Sequence, residues 1–194
     1  MLYLFLIWRG GKIDLKTKEL FITHTKISDY KRKVAETRKE LEKLFTFYHK
    51  PSVSVSGGKD SLVLLHLAQK IKSDILVWHW DYGIFMPRHL EKEVQTILTT
   101  SFNLKIGKNL FIDRRYSKNQ DSTIGYKAFF SALKKHITQH SIDLCLIGLR
   151  REESNKRKIR ARKLLEKSSF EKVTNAFPIR EWTWLDIWAY IGYI

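Results

Sequence analysis

The sequence predicts an α/β fold, and two observations carry that expectation. Short apolar runs of strand length (53–55, 75–80, within 104–112, 142–148 and 173–177) alternate with longer stretches of helical periodicity. At Val53–Leu65 the period changes abruptly. Val53 and Val55 alternate as a buried strand does, and Ser56, Gly57 and Gly58 form a side-chain-poor turn. From Lys59 onward Leu62, Leu65, Leu67 and Ala68 fall on one side of a helix, leaving Lys59, Gln69 and Lys70 for water. The chain has 194 residues, which suits one domain, and 43% of them are hydrophobic, enough for a sizeable core.

The elements follow in order. Met1–Trp8 is apolar, but eight residues cannot cross a membrane that needs about 20; it reads as a buried strand, with a signal peptide or a misplaced start codon as the alternatives. With 12–22 as a second extended run, Gly10-Gly11 suggests a hairpin. Ser28 or Asp29 caps a long helix reaching about His49. Its face of Tyr30, Val34, Thr37, Leu41, Leu44, Phe45 and Tyr48 packs on a sheet, and Lys31, Arg32, Lys33, Arg38, Lys39 and Lys43 point outward. Pro51 then delivers the chain into the strand before Ser56. Residues 1–50 thus read as an N-terminal extension to a fold spanning 51–194.

The second strand, 75–80, ends at Asp81-Tyr82-Gly83, and Pro87 opens a helix through about Thr100. A third strand lies within 104–112, interrupted by Gly107. A polar loop, 114–122, leads to an amphipathic helix from about Thr123 to His140. His136 and His140 have a zinc-compatible spacing, but no third ligand is evident. Ile142–Gly148 is the fourth strand, with Cys145 as a core side chain inside it. After a last strand near 173–177, Thr183 caps an apolar final helix.

Composition narrows the function. Cys145 is the single cysteine, which rules out an intrachain disulfide framework or a cysteine-rich metal centre and points to a cytoplasmic protein. Thirty-six basic against 20 acidic residues give a net charge of +16, a field that favours nucleotides, sulfate esters or nucleic acid.

Strand, glycine turn and helix N-terminus together make a phosphate site. The first N–H groups of the helix lack internal partners, the helix dipole adds positive charge, and Gly57 and Gly58 expose backbone to a phosphate. Lys59 adds a full charge; Ser56 and Ser61 add hydroxyls. Asp81, at a strand end beside this loop, suits a ribose or a metal-bound water. Arg150 and Arg151 follow the fourth strand end, where guanidinium forks can hold sulfate or phosphate. From Arg150 to Lys167 nine basic residues face three acidic ones, and the later cations read as a solvated or nucleic-acid-binding face.

Ser56-Gly57-Gly58-Lys59-Asp60-Ser61 is not a Walker A loop. It resembles the PP-loop signature S-G-G-x-D-S of the adenine-nucleotide alpha hydrolases, which bind ATP or a related adenylate. Three further blocks agree: 79–83, Gly148-x-Arg150-Arg151-Glu152-Glu153-Ser154-x-x-Arg157, and 177–191 from Phe177-Pro178-Ile179 to Tyr190-Ile191. Together they resemble the phosphoadenosine phosphosulfate reductase family, which includes the small subunit of bacterial ATP sulfurylase.

The resemblance implies a parallel, doubly wound, Rossmann-like sheet of about five strands with helices on both faces. It implies an adenylate (ATP or an adenylyl sulfate-type nucleotide) over Ser56–Ser61 and Gly148, an oxyanion on Arg150, Arg151 and Arg157, and Mg2+ near Asp60. The chemistry would be adenylyl transfer with release of pyrophosphate, Lys59 stabilising the leaving group. Tyr82 departs from the threonine usual in the second block. The cysteine tail of the reductases is also missing before Ile194, so thiol reduction would need an external thiol or a protein partner. A nucleic-acid-binding or thiolation component is the alternative of another class.

Overall fold

The computed structural model describes residues 14–114, 122–170 and 172–193. Its centre is a six-stranded sheet of β1 (Pro51–Val55), β2 (Leu76–Asp81), β3 (Leu110–Arg114), β4 (Leu144–Ile147), β5 (Leu165–Lys167) and β6 (Thr174–Ala176). The strand order is β3-β2-β1-β4-β6-β5. Every neighbouring pair is parallel except β5–β6. The parallel core of five strands agrees with the sequence; β5 adds a short antiparallel edge inside what reads as a charged run.

The helices are α1 (Leu15–Thr25), α2 (Ser28–Phe47), α3 (Lys59–Gln69), α4 (Arg88–Thr96), α5 (Ser122–His140), α6 (Asn155–Arg160) and α7 (Trp184–Tyr193). Alternation along β2 separates the two layers. His79 bonds Glu91 of α4 on one face, while Trp78 and Trp80 meet Phe129 of α5 on the other. Val53, Val55, Val77, Leu144 and Leu146 join α2, α3 and α7 in the main core. Cys145 packs with Ile137 of α5 on the opposite side. The chain runs outward from β1 to β2 and β3, then returns through α5 to β4. Its topological switch point therefore lies between the carboxyl ends of β1 and β4, where open parallel sheets bind ligands.

Several local expectations change. Residues 15–25 are helical, not extended. Asp14 accepts the Thr17 N–H at 2.8 Å as an N-cap, and Phe21 stacks on Trp188 of α7 at 6.3 Å. Cap chemistry and tertiary packing override an apparent alternation. The strand expected at 1–8 and the hairpin turn at 10–11 lie outside the described residues.

The residue before α2 is Ile27, without a side-chain cap, so neither Ser28 nor Asp29 serves. α2 packs on α3 and the 178–186 segment. Trp182 donates its Nε1–H to Thr37 at 2.9 Å, and Arg180 pairs with Glu40 at 2.8 Å. α3 is buried nearly all round, including Ser61 to Leu65, and Gln69 donates to the Phe102 carbonyl at 3.1 Å instead of facing water. α4 ends at Thr96 and continues as a wider π turn to Ser101. Thr183 does cap α7, with Asp186 answering on the Thr183 N–H at 2.7 Å.

Candidate functional site

The loop Ser56–Ser61 joins β1 to α3 at the switch point. Gly57 has φ +80°, a left-handed conformation that glycine adopts without strain. A Cβ there would also meet Val94 at 2.6 Å. Ser61 closes the turn from inside: its hydroxyl donates to the Gly58 carbonyl at 2.8 Å and accepts the Ser56 N–H at 3.3 Å. Gly58 precedes α3 without a capping side chain. The first-turn N–H groups thus present a bare, electropositive helix end.

A second glycine is fixed by packing. A Cβ on Gly148 would lie 2.9 Å from the Ser61 N and Cα and 3.0 Å from the Asp60 carbonyl carbon. The end of β4 therefore presses directly on the first turn of α3. Two residues on, Arg150 is only 3% exposed, and its Nε donates to Asp60 Oδ1 at 2.5 Å. Lys59 Nζ holds the other oxygen at 2.9 Å.

Between these elements and α5 opens a cleft of about 220 Å3. Ser56, Ser61, Gly148 and Arg157 form its polar side; Trp78, Trp80, Tyr82 and Phe129 stand among its apolar walls. Arg157 is half exposed and tethered by Glu153 of the preceding turn. Polar groups for phosphate beside aromatic rings for a base suit a nucleotide.

The other candidates are placed differently. Asp81 lies on the α4 face of β2, opposite Trp80. One oxygen accepts from Arg88 and the Gly83 N–H, the other from Arg88 and Arg114, at 2.6–2.8 Å. Burial alone would raise this carboxyl; the Arg88, Gly83 and Arg114 hydrogen bonds outweigh it and hold the pKa at about 2. With both oxygens bonded, Asp81 braces the strand end and does not line the cleft, which corrects the ribose expectation.

Arg150, expected to hold an oxyanion, is bonded to Asp60 and Glu152. Arg151 points away, pairing with Glu181 in a separate 490 Å3 cleft. Only Arg157 of the three arginines reaches the loop's cleft. Asp60 does not fit the magnesium role, since both its oxygens are ion-paired. No group of three or more His, Cys, Asp or Glu side chains among the described residues could hold a metal. Cys145 is buried, and that burial, with Asp143 nearby, pushes its pKa up to about 12.

The aromatic walls and the Arg88–Asp81–Arg114 clamp were not singled out from sequence. The signal for the first was present: Trp78 and Trp80 alternate with His79 and Asp81, so they must share the face opposite Asp81. Nothing local marks the clamp, because Arg114 reaches Asp81 from the neighbouring strand.

Fold and loop define an α/β protein of PP-loop, Rossmann-like type. Sequence comparison carries the assignment further: the phosphoadenosine phosphosulfate reductase domain matches residues 50–193, and the chain belongs to that family. An uncharacterized protein of Methanocaldococcus jannaschii is 29% identical over 94% of this chain and 49% of its own length. Sulfate adenylyltransferase subunit 2 of Mycolicibacterium gilvum is 26% identical over 75% of this chain and 55% of its own. The chain thus spans about half the length of these relatives.

Among solved structures, a Candida glabrata FMN adenylyltransferase in complex with FAD and inorganic pyrophosphate superposes with a TM-score of 0.62. It is 16% identical and covers 90% of this chain and 62% of that one. The U34-tRNA thiolase NcsA of Methanococcus maripaludis gives 0.56, at 18% identity, covering 89% and 63%. These likenesses establish the shared fold.

Proposed function

We propose that the protein binds ATP at Ser56–Ser61 and transfers its adenylyl group to an oxyanion, sulfate being the first candidate. The observation that carries this reading is the single cleft shared by the glycine loop, Gly148 and Arg157, with aromatic walls beside it. Two of the similar proteins are named for adenylyl transfer, and one of them holds pyrophosphate.

In this reading the β and γ phosphates rest on the loop N–H groups and the helix end. Arg157 orients the acceptor. An acceptor oxygen attacks the α phosphorus in line, a new P–O bond forms, the bond to the β-phosphate oxygen breaks, and pyrophosphate leaves. Lys59 exchanges Asp60 for the departing pyrophosphate and stabilises its charge. Any magnesium enters as the counter-ion of the triphosphate, as part of the substrate. One of the similar proteins is named as a subunit, and completion of the site by another subunit belongs to the same proposal.

The test is exchange of labelled pyrophosphate into ATP, with sulfate and other oxyanions added one at a time. Lys59→Ala lowers the exchange rate by about 100-fold or more while ATP still binds. ATP binding without exchange under any acceptor would overturn the transfer chemistry. Much tighter binding of the 3′-phosphorylated adenylyl sulfate than of ATP would favour a reductase component instead. Such a component would need a thiol from elsewhere, since Cys145 is buried and protonated at neutral pH.

A further inference from the structure

The two basic stretches differ once their ion pairs are followed. On α2, Arg32 is held by Asp29 and Glu36, Lys33 by Asp29 and Asp186, and Arg38 by Glu42. Six basic residues there stand against four acidic ones. The stretch from Ser154 to Lys172 has eight basic residues and two acidic ones, Glu166 and Glu171. Arg157 and Arg160 are tethered, to Glu153 and Glu166. Lys156, Lys158, Arg162, Lys163, Lys167 and Lys172 are all exposed, and among the described residues none makes an ion pair. Ile159 (75% exposed) and Leu165 (41%) stand out among them.

We propose that this surface, formed by α6, the turn after it and β5, is a docking face for nucleic acid, gripped through the phosphate backbone. Unpaired lysines and arginines release counter-ions from such a polymer without first breaking internal ion pairs. The exposed apolar side chains of Ile159 and Leu165 offer contact to sugars or bases. An anionic membrane fits less well: α6 has six residues and one exposed apolar side chain, too little for an interfacial helix. The face adjoins the candidate site directly, because Arg157 lies on α6 between Lys156 and Lys158 and lines the cleft. A bound polymer would therefore lie beside the nucleotide.

The full chain is titrated with labelled single-stranded RNA, single-stranded DNA of the same sequence, and duplex DNA, in fluorescence anisotropy between about 50 and 300 mM KCl. If four to six phosphates are neutralised, log K falls with log salt at a slope of about −3 to −4 for a single strand. The variant K156E/K158E/R162E/K163E lowers affinity at least tenfold at low salt and flattens the slope to about −1. K31E/K39E/K43E on α2 changes affinity less than about twofold, though its charge is altered by a similar amount. Lys59→Ala leaves polymer binding intact, which separates this face from the nucleotide proposal. Three results would overturn the inference: no retention at low salt by folded protein, equal losses in the α2 variant, or tighter binding to phosphatidylserine vesicles or polyglutamate than to any nucleic acid.

Discussion

The sharpest test of the site is a single methyl group at Gly148. Ordinary contact for a Cβ begins near 3.4 Å, and here three backbone atoms of Asp60 and Ser61 stand at 2.9–3.0 Å. No rotamer can relieve that crowding. The end of β4 and the first turn of α3 must separate by about half an ångström, and overpacking of this kind costs about 1–3 kcal/mol. The displaced atoms carry the N–H groups assigned to phosphate. Gly148→Ala should therefore lower unfolding free energy in urea by about 1–3 kcal/mol at unchanged m value, and weaken ATP by about tenfold, which corresponds to 1.4 kcal/mol. Gly107→Ala is the control. Its φ is +77°, and a Cβ meets nothing within 4 Å. It should lose about 1–2 kcal/mol through backbone conformation alone and bind ATP as before. Unaltered ATP affinity in Gly148→Ala, or an equal loss in Gly107→Ala, would refute the claim that β4 sets the loop.

Gly58→Ala reverses the logic: its Cβ meets only Ser56 Oγ at 3.4 Å, so stability changes by less than about 0.5 kcal/mol. Calorimetric ATP affinity nonetheless falls tenfold or more if a phosphate rests against it, and an unchanged affinity removes that placement. Arg150→Met strips Asp60 of its buried partner and costs about 3 kcal/mol, part of which the added Asp60→Asn restores; strictly additive losses would exclude coupling. Burial, reinforced by His140, lowers the His136 pKa to about 4 from 6.5, so the unfolded chain binds more protons in that window. Stability is full above 6.5 and declines as pH falls toward 4, and His136→Asn flattens that slope in denaturation curves. Asp81 shifts in the same direction, because its hydrogen bonds to Arg88, the Gly83 N–H and Arg114 outweigh burial: its stabilisation holds above 3.8 and is lost as pH falls through about 2.

Legibility in the sequence tracks how local the cause is. The loop at 56–61 could be read because its glycines, lysine and change of period are contiguous. β2 and β4 could be read because parallel strands buried on both faces are largely apolar runs, and β1 because Val53 and Val55 alternate just ahead of the glycines; β6 shows only through the apolar residues Val173, Ala176 and Phe177 around Thr174 and Asn175. α1 was hidden because its identity rests on Asp14 as a cap and on Phe21 meeting Trp184 and Trp188, far along the chain. β5 was hidden because Leu165-Glu166-Lys167 has no apolar run at all. It exists by pairing with β6, and Asn175 and Arg160 bind Glu166. Arginines were the least legible. Their type predicts anion binding, but whether the anion is a ligand or Asp60, Glu181 or Glu153 depends on the fold.

The N-terminal helices are tied to the site by a continuous series of contacts. His24 and Lys33 bond Asp186 at 2.7 and 2.9 Å. Burial alone would raise that carboxyl, and these bonds with the Thr183 N–H hold it below the usual range. Glu40 grips Arg180 with both oxygens, at 2.8 and 2.9 Å. The Arg180 carbonyl in turn accepts the Arg151 N–H at 3.0 Å. That bond fixes the turn after β4, whose Arg150 holds Asp60 of the loop and whose Glu153 tethers Arg157 at the cleft. The separation between the glycine loop and Arg157 is thus set by α2 and the 178–186 segment as well as by the sheet. Each link is a hydrogen bond or ion pair between neighbouring elements. The first helices are consequently part of the scaffold that holds the two walls of the cleft at a fixed distance.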